Sequence, residues 1–193
     1  NRMRFDLLSN GTLINEETAD FLFSTGRCDG VQVSIDGSGP MTHDAFRGQG
    51  NFLRAMRGIE ALRKKRVRVS VRVTIHRRNV RDLEEIAGLL LDEMGLPGFS
   101  TNSASFLGLC RKNTDRVQLT IEERSLAMET LMALRRRYGD RISASAGPLA
   151  DGVNWLRMEQ GRMEGGEPPP DGGYLTGCGG ATSSLAVRAD GIM

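Results

Sequence analysis

Val67-Arg68-Val69-Ser70-Val71-Arg72-Val73-Thr74-Ile75-His76 alternates branched apolar and polar residues without a break. Successive side chains of a strand point to opposite faces. Val67, Val69, Val71, Val73 and Ile75 therefore share one face, and Arg68, Ser70, Arg72, Thr74 and His76 the other. Helical patterns flank this segment, and strands alternating with helices signal a parallel β/α architecture. A central strand of a doubly wound parallel sheet, however, is covered on both faces and reads apolar throughout. Three arrangements reconcile the two facts: an edge strand with one wet face, an antiparallel strand, or a strand whose polar face lines a barrel lumen. The flanking helices argue against the second. The third requires anionic partners, because arginines taken out of water without counter-charge are costly.

The neighbouring strands repeat the pattern. In Gly30-Val31-Gln32-Val33-Ser34-Ile35-Asp36-Gly37, Gln32, Ser34 and Asp36 oppose Val31, Val33 and Ile35. Thr101-Asn102-Ser103 is polar where a packed strand would be apolar. Polar residues near the C-terminal ends of successive parallel strands are where β/α folds place ligands.

Around these segments the sequence predicts a first strand over residues 4 to 8 and a helix capped by Asn15. A glycine-rich loop then runs from residue 37 to residue 50. Phe52, Ala55, Met56, Ile59 and Leu62 recur at helical spacing. Asn79 is expected to cap a helix with Leu83, Ile86, Ala87, Leu90 and Met94 on its inner stripe. Thr120-Ile121-Glu122-Glu123 reads as a capping box opening a helix to Tyr138, followed by a weak strand near residue 142. The expected fold is α/β, a partial β/α barrel over residues 1–146. Residues 147–173, ending in the Gly/Pro-rich run from Gly165 to Gly173, are expected to be a linker, and 174–193 the start of a second domain.

The net charge of +2 gives no footing for nucleic acid or a membrane surface. The basic runs Arg63-Lys64-Lys65-Arg66 and Arg135-Arg136-Arg137 sit where predicted helices end, complementing the helix dipole. No apolar run is long enough to span a bilayer. Three scattered cysteines do not form a disulfide framework, so a reducing, cytoplasmic setting is expected.

Four segments resemble the radical S-adenosylmethionine (SAM) superfamily, in its SPASM branch of peptide and protein maturases. Ser9-Asn10-Gly11-Thr12 is similar to the turn after the third strand of that family's barrel. Val33-Ser34-Ile35-Asp36-Gly37, with His43-Asp44 and Phe46-Arg47-Gly48, resembles the segment after its fourth strand, and Gly50-Asn51-Phe52 continues it. Cys178 and Gly191, with twelve residues between them, resemble the start of the SPASM motif. The fragment would then hold about strands 3 to 6 of the barrel.

The resemblance implies that Ser34 contacts SAM and that Arg72, or Arg68, faces its methionyl carboxylate. Asn10, Arg47 and Asn102 are further candidates for cofactor or substrate contact. It implies that Cys178 ligates an auxiliary [4Fe–4S] cluster. It also implies a full-length oxidoreductase in which SAM is cleaved at a [4Fe–4S] cluster and hydrogen is abstracted from a peptide or protein, with an electron donor such as flavodoxin or ferredoxin. The C-x3-C-x2-C loop that holds the catalytic cluster in this family is absent from the sequence. The chain is therefore expected to be truncated at both ends, and inactive alone. Two other readings stay open: a family member acting on a small molecule such as a tetrapyrrole, and a non-catalytic β/α domain binding an anion in an arginine-lined pocket.

Overall fold

The structure, a computed structural model, describes residues 3–104 and 109–163. Five strands, β1 (Phe5–Ser9), β2 (Cys28–Ser34), β3 (Val69–Ile75), β4 (Phe99–Ser103) and β5 (Ile142–Ala144), form one parallel sheet in the order β1-β2-β3-β4-β5. Spatial order equals chain order, so the sheet has no switch point. Right-handed crossovers, the rule for parallel units, then place every intervening helix on one face. Such a sheet is an arc of a barrel, with helices outside and an open concave face.

Burial follows that geometry. Val31, Val33, Val71 and Val73 are fully buried, whereas Ser70 is exposed and Gln32, Ser34, Arg72 and Thr74 are half-buried. β3 is the third of five strands and parallel to both neighbours, which eliminates the edge and antiparallel arrangements. The polar face is not sealed, as a closed lumen would be. It is half-open.

The helices are α1 (Glu16–Ser24), α2 (Pro40–Arg47), α3 (Asn51–Lys64), α4 (Leu83–Ala87), α5 (Leu109–Lys112), α6 (Thr114–Val117), α7 (Ile121–Tyr138) and α8 (Pro148–Met163). Asn15 caps α1 by accepting the Thr18 N–H at 2.8 Å, and the capping box of Thr120 and Glu123 opens α7. α3 packs closely on the turn after β1. A Cβ on Gly58 would lie 2.3 Å from the Gly11 carbonyl oxygen, and Gly11 itself has φ +76°, so both positions need glycine.

Three local expectations are corrected. The glycine-rich segment contains α2, with Pro40 in the first turn, where its missing N–H costs nothing. Asn79 does not cap a helix. Its Oδ1 accepts the His76 N–H at 2.8 Å, and its Nδ2 donates to the carbonyls of Asp36 and Thr74 at 3.0 and 2.9 Å. The following helix starts at Leu83 and widens into a π-helical stretch, Gly88–Glu93. Finally, α8 occupies the first part of the span assigned to a linker.

The chain divides into two compact units, Asn1–Leu156 and Arg157–Met193. Of the second, only the last turns of α8 are described. The Gly/Pro-rich run and the expected SPASM segment with Cys178 lie outside the described residues. Among the described residues no helix is long and apolar enough to cross a membrane.

Candidate functional site

Parallel register carries the polar positions of three strands into rows. Ser34 lies opposite Arg72, and Arg72 opposite Ser100. One step towards the strand ends, Thr74 lies opposite Asn102. Arg72 donates from Nε to Ser100 Oγ at 3.3 Å and has no carboxylate partner among the described residues. A half-buried guanidinium with most of its donors free, on the concave face of a parallel sheet, is an anion-binding group.

The end of β4 adds unmet capacity. Thr101 Oγ1, Asn102 Oδ1 and Ser103 Oγ are buried and without hydrogen-bond partners among the described residues. Asn102 shares its face with Arg72. Gly147, at φ +87°, closes on Ser103 so tightly that a Cβ there would sit 2.9 Å from the Ser103 nitrogen.

The structure does not gather all the sequence candidates. Arg68 precedes β3 at its N-terminal end, four residues or roughly 13 Å of strand from Arg72. It sits 4.0 Å from Asp6, and both side chains are largely exposed. Asn10 and Arg47 belong to a different group, built on Asp36.

Asp36 is fully buried. Its carboxylate accepts the Thr74 N–H at 2.7 Å and Arg47 Nε at 2.5 Å, and its own N–H donates to His43 Nδ1 at 3.1 Å. Asp44 accepts the N–H groups of Gly50 and Phe52, both at 2.7 Å, and so caps α3 from outside the helix. Burial opposes ionisation of Asp44, but those backbone donors outweigh it and hold the carboxyl below its ordinary range.

His76 Nδ1 accepts the Arg78 N–H at 3.1 Å, and its ring stacks on Phe46 with centroids 4.0 Å apart. Burial, reinforced by Arg47, Arg78 and His43, pushes its pKa down to about 4. Burial also lowers His43, with Asp36 opposing. Both rings are neutral at pH 7. The segment matching the family pattern is thus a hydrogen-bonded scaffold joining the ends of β2 and β3. The sequence marked Asp36 and Asp44 only as members of the family-like segment and His76 only as a polar-face residue; their scaffolding roles depend on partners that the folded chain brings to them, such as Thr74 and Arg47 for Asp36.

Asn10, Thr12, His43, Phe46, Arg47 and Asn51 line a cavity of about 210 Å3. A larger one of about 870 Å3, bounded by α3 and Met94, has no strand residue in its walls and lies away from the polar rows. Cys28 is half-buried, with its thiol pushed up by burial, which disfavours the reactive thiolate. Cys110 is half-buried on α5. No cluster of three metal-ligating side chains exists among the described residues.

A profile described as the radical SAM superfamily matches residues 1–90. Fe-coproporphyrin III synthase of Methanosarcina barkeri is 33% identical over 140 residues, covering 72% of this chain and 34% of that protein. Mycofactocin maturase MftC of Mycobacterium tuberculosis is 40% identical over 84 residues, 42% of this chain and 21% of that protein. Among solved structures, anSMEcpe with bound AdoMet and a Cp18Cys peptide superposes with a TM-score of 0.59 at 20% identity, over 74% of this chain and 40% of that one. That likeness speaks for the fold. The chain spans about a third, or less, of the length of the curated relatives it matches.

Proposed function

The chain belongs to the radical SAM superfamily, and from that premise we propose that the concave face of β2, β3 and β4 seats SAM in an enzyme that modifies a peptide or protein. The family's cofactors are SAM and a [4Fe–4S] cluster, which together supply hydrogen-atom abstraction. One observation carries the proposal for this chain: Arg72 stands between Ser34 and Ser100 with no carboxylate partner among the described residues. The methionyl carboxylate of SAM meets the need of that guanidinium, and Ser34 and Asn102 offer a hydroxyl and an unpaired carbonyl to the ligand's hydroxyl and amino groups. The residues therefore fit SAM.

They do not fit a cluster. Cys28, Cys110 and Cys178 are too far apart in sequence for a C-x3-C-x2-C loop. A catalytic cluster would need ligands from outside this sequence. Cys178 remains the candidate ligand of an auxiliary cluster, and a flavodoxin or ferredoxin the candidate electron donor.

A peptide substrate is supported by the kinship with MftC and the fold likeness to a peptide-bound enzyme. A second reading, a tetrapyrrole substrate, is favoured by the length of the match to Fe-coproporphyrin III synthase. Titration calorimetry of SAM into the chain tests the cofactor seat. Replacing Arg72 by Met removes a charge-assisted pair and is expected to weaken SAM by about 10- to 100-fold. Equal affinity for both proteins would refute the seat.

A further inference from the structure

The cavity of about 210 Å3 shares no lining residue with the row of Ser34, Arg72 and Asn102, and its unpaired groups specify a ligand of their own. His43, in its wall, has no solvent exposure. Because Nδ1 accepts the Asp36 N–H, the neutral ring carries its proton on Nε2. That N–H finds no acceptor among the described residues. A buried donor left unpaired is costly, and such groups mark places where something is missing.

The neighbours are unpaired in the same sense. Among the described residues Arg47 uses only Nε, on Asp36, which leaves both terminal nitrogens without a partner there. Asn10 uses its Oδ1 on the N–H and hydroxyl of Thr12, which leaves its amide NH2 free. Asn51 uses its amide nitrogen on the Arg47 carbonyl. The free donors are thus an imidazole N–H, a guanidinium and an amide. A cation has no carboxylate to meet here. Asp36 already offsets the charge of Arg47, so a doubly charged phosphate is disfavoured more than a singly charged anion held mainly by hydrogen bonds. A single carboxylate, with two oxygens and one charge, suits the donor set.

We propose that this cavity seats a carboxylate of the substrate. Assigning the carboxylate to the substrate rests on the proposed function, whereas carboxylate binding as such does not. It could be carried by the C-terminus or an acidic side chain of a peptide, or by the acid side chain of a small molecule.

The test uses the chain without SAM or cluster, with sodium propionate as probe and the histidine ring resonances as readout. Propionate is expected to shift the Nε2 resonance of His43 saturably. His76, whose Nε2 is also unpaired but which does not line the cavity, should stay in place. Asn10→Asp keeps the turn oxygen that Thr12 needs and replaces the donor NH2 by a second oxygen, so it should weaken propionate at least tenfold. No saturable shift at His43, or equal affinity in N10D, overturns the proposal.

Two pairs of competitors then distinguish the sources: a short peptide with a free or an amidated C-terminus, and a pyrrole propionic acid or its methyl ester. The acid of one pair should displace propionate at least tenfold better than its capped partner. Capped forms that compete as well as the acids also overturn the proposal. A parallel SAM titration separates the two claims. Lost SAM binding with intact propionate binding refutes the cofactor seat, and the reverse refutes the cavity.

Discussion

The two faces of β3 are one residue apart in sequence and opposite in physics. Val69, Val71, Val73 and Ile75 are buried under the helices, whereas Ser70 is exposed and Arg72 and Thr74 are half-open on the concave side. The first face supplies stability, because apolar burial is the main favourable term in folding. The second is a loss on that account. An arginine with no counter-charge adds little to the fold, so its place on a central strand is explained by a ligand. The contrast teaches that in this arc the binding surface is the part of the sheet that folding leaves unfinished.

Breaking the comparison on its stable side gives the largest effect. Val71→Asp buries a carboxylate with no partner, at a cost of several kcal/mol against a total stability of about 5–15 kcal/mol. The protein is expected to lose its folded circular dichroism. Ser70→Asp, the same chemistry on the open face, should shift stability by about 0.5 kcal/mol or less, as surface changes do. Equal damage from both would mean that the concave face is covered.

Acid probes the join between the two faces, where β2 and β3 end on the Asp36 scaffold. His76 titrates at about 4 in the folded protein, against 6.5 as its ordinary value. The unfolded chain therefore binds more protons between those values, and stability falls as pH drops from 6.5 towards 4. The full loss from His76 is about 3 kcal/mol by linkage. His43 shifts in the same direction and adds to it. Urea titrations across this range check the slope. A stability flat from pH 7 to pH 4.5 would contradict the buried, neutral rings.

How much of this was legible in the sequence depended on how local each cause is. The alternation of β3 is a property of ten consecutive residues, and the structure keeps both faces as read. The convergence of Ser34 and Arg72 was also legible, since two parallel strands with polar residues on one face must bring them together in some register. α2 was hidden because Gly37, Gly39 and Pro40 read as loop, although proline favours a helix's first turn. Asn79 was misread because its amide donates back to Thr74 of the strand it follows and across the sheet to the Asp36 carbonyl. The cavity was legible only in part, through Asn10 and Arg47 as candidates for cofactor or substrate contact. Asn10, His43 and Asn51 come from three segments that only the folded chain assembles.

The smallest effect is expected from Arg68, and it sharpens the comparison most. Face alone, which is all that alternation provides, does not separate Arg68 from Arg72. Position along the strand does, because ligands of parallel β/α folds lie at the C-terminal ends. Arg68 lies at the other end, beside Asp6, with its side chain 74% exposed. An exposed pair at 4.0 Å contributes about 0–1 kcal/mol. Arg68→Met should therefore leave SAM affinity within about twofold and thermal stability nearly unchanged, both measurable on the protein used for Arg72→Met. A loss in R68M as large as in R72M would show that the face, and not the strand end, defines the anion site.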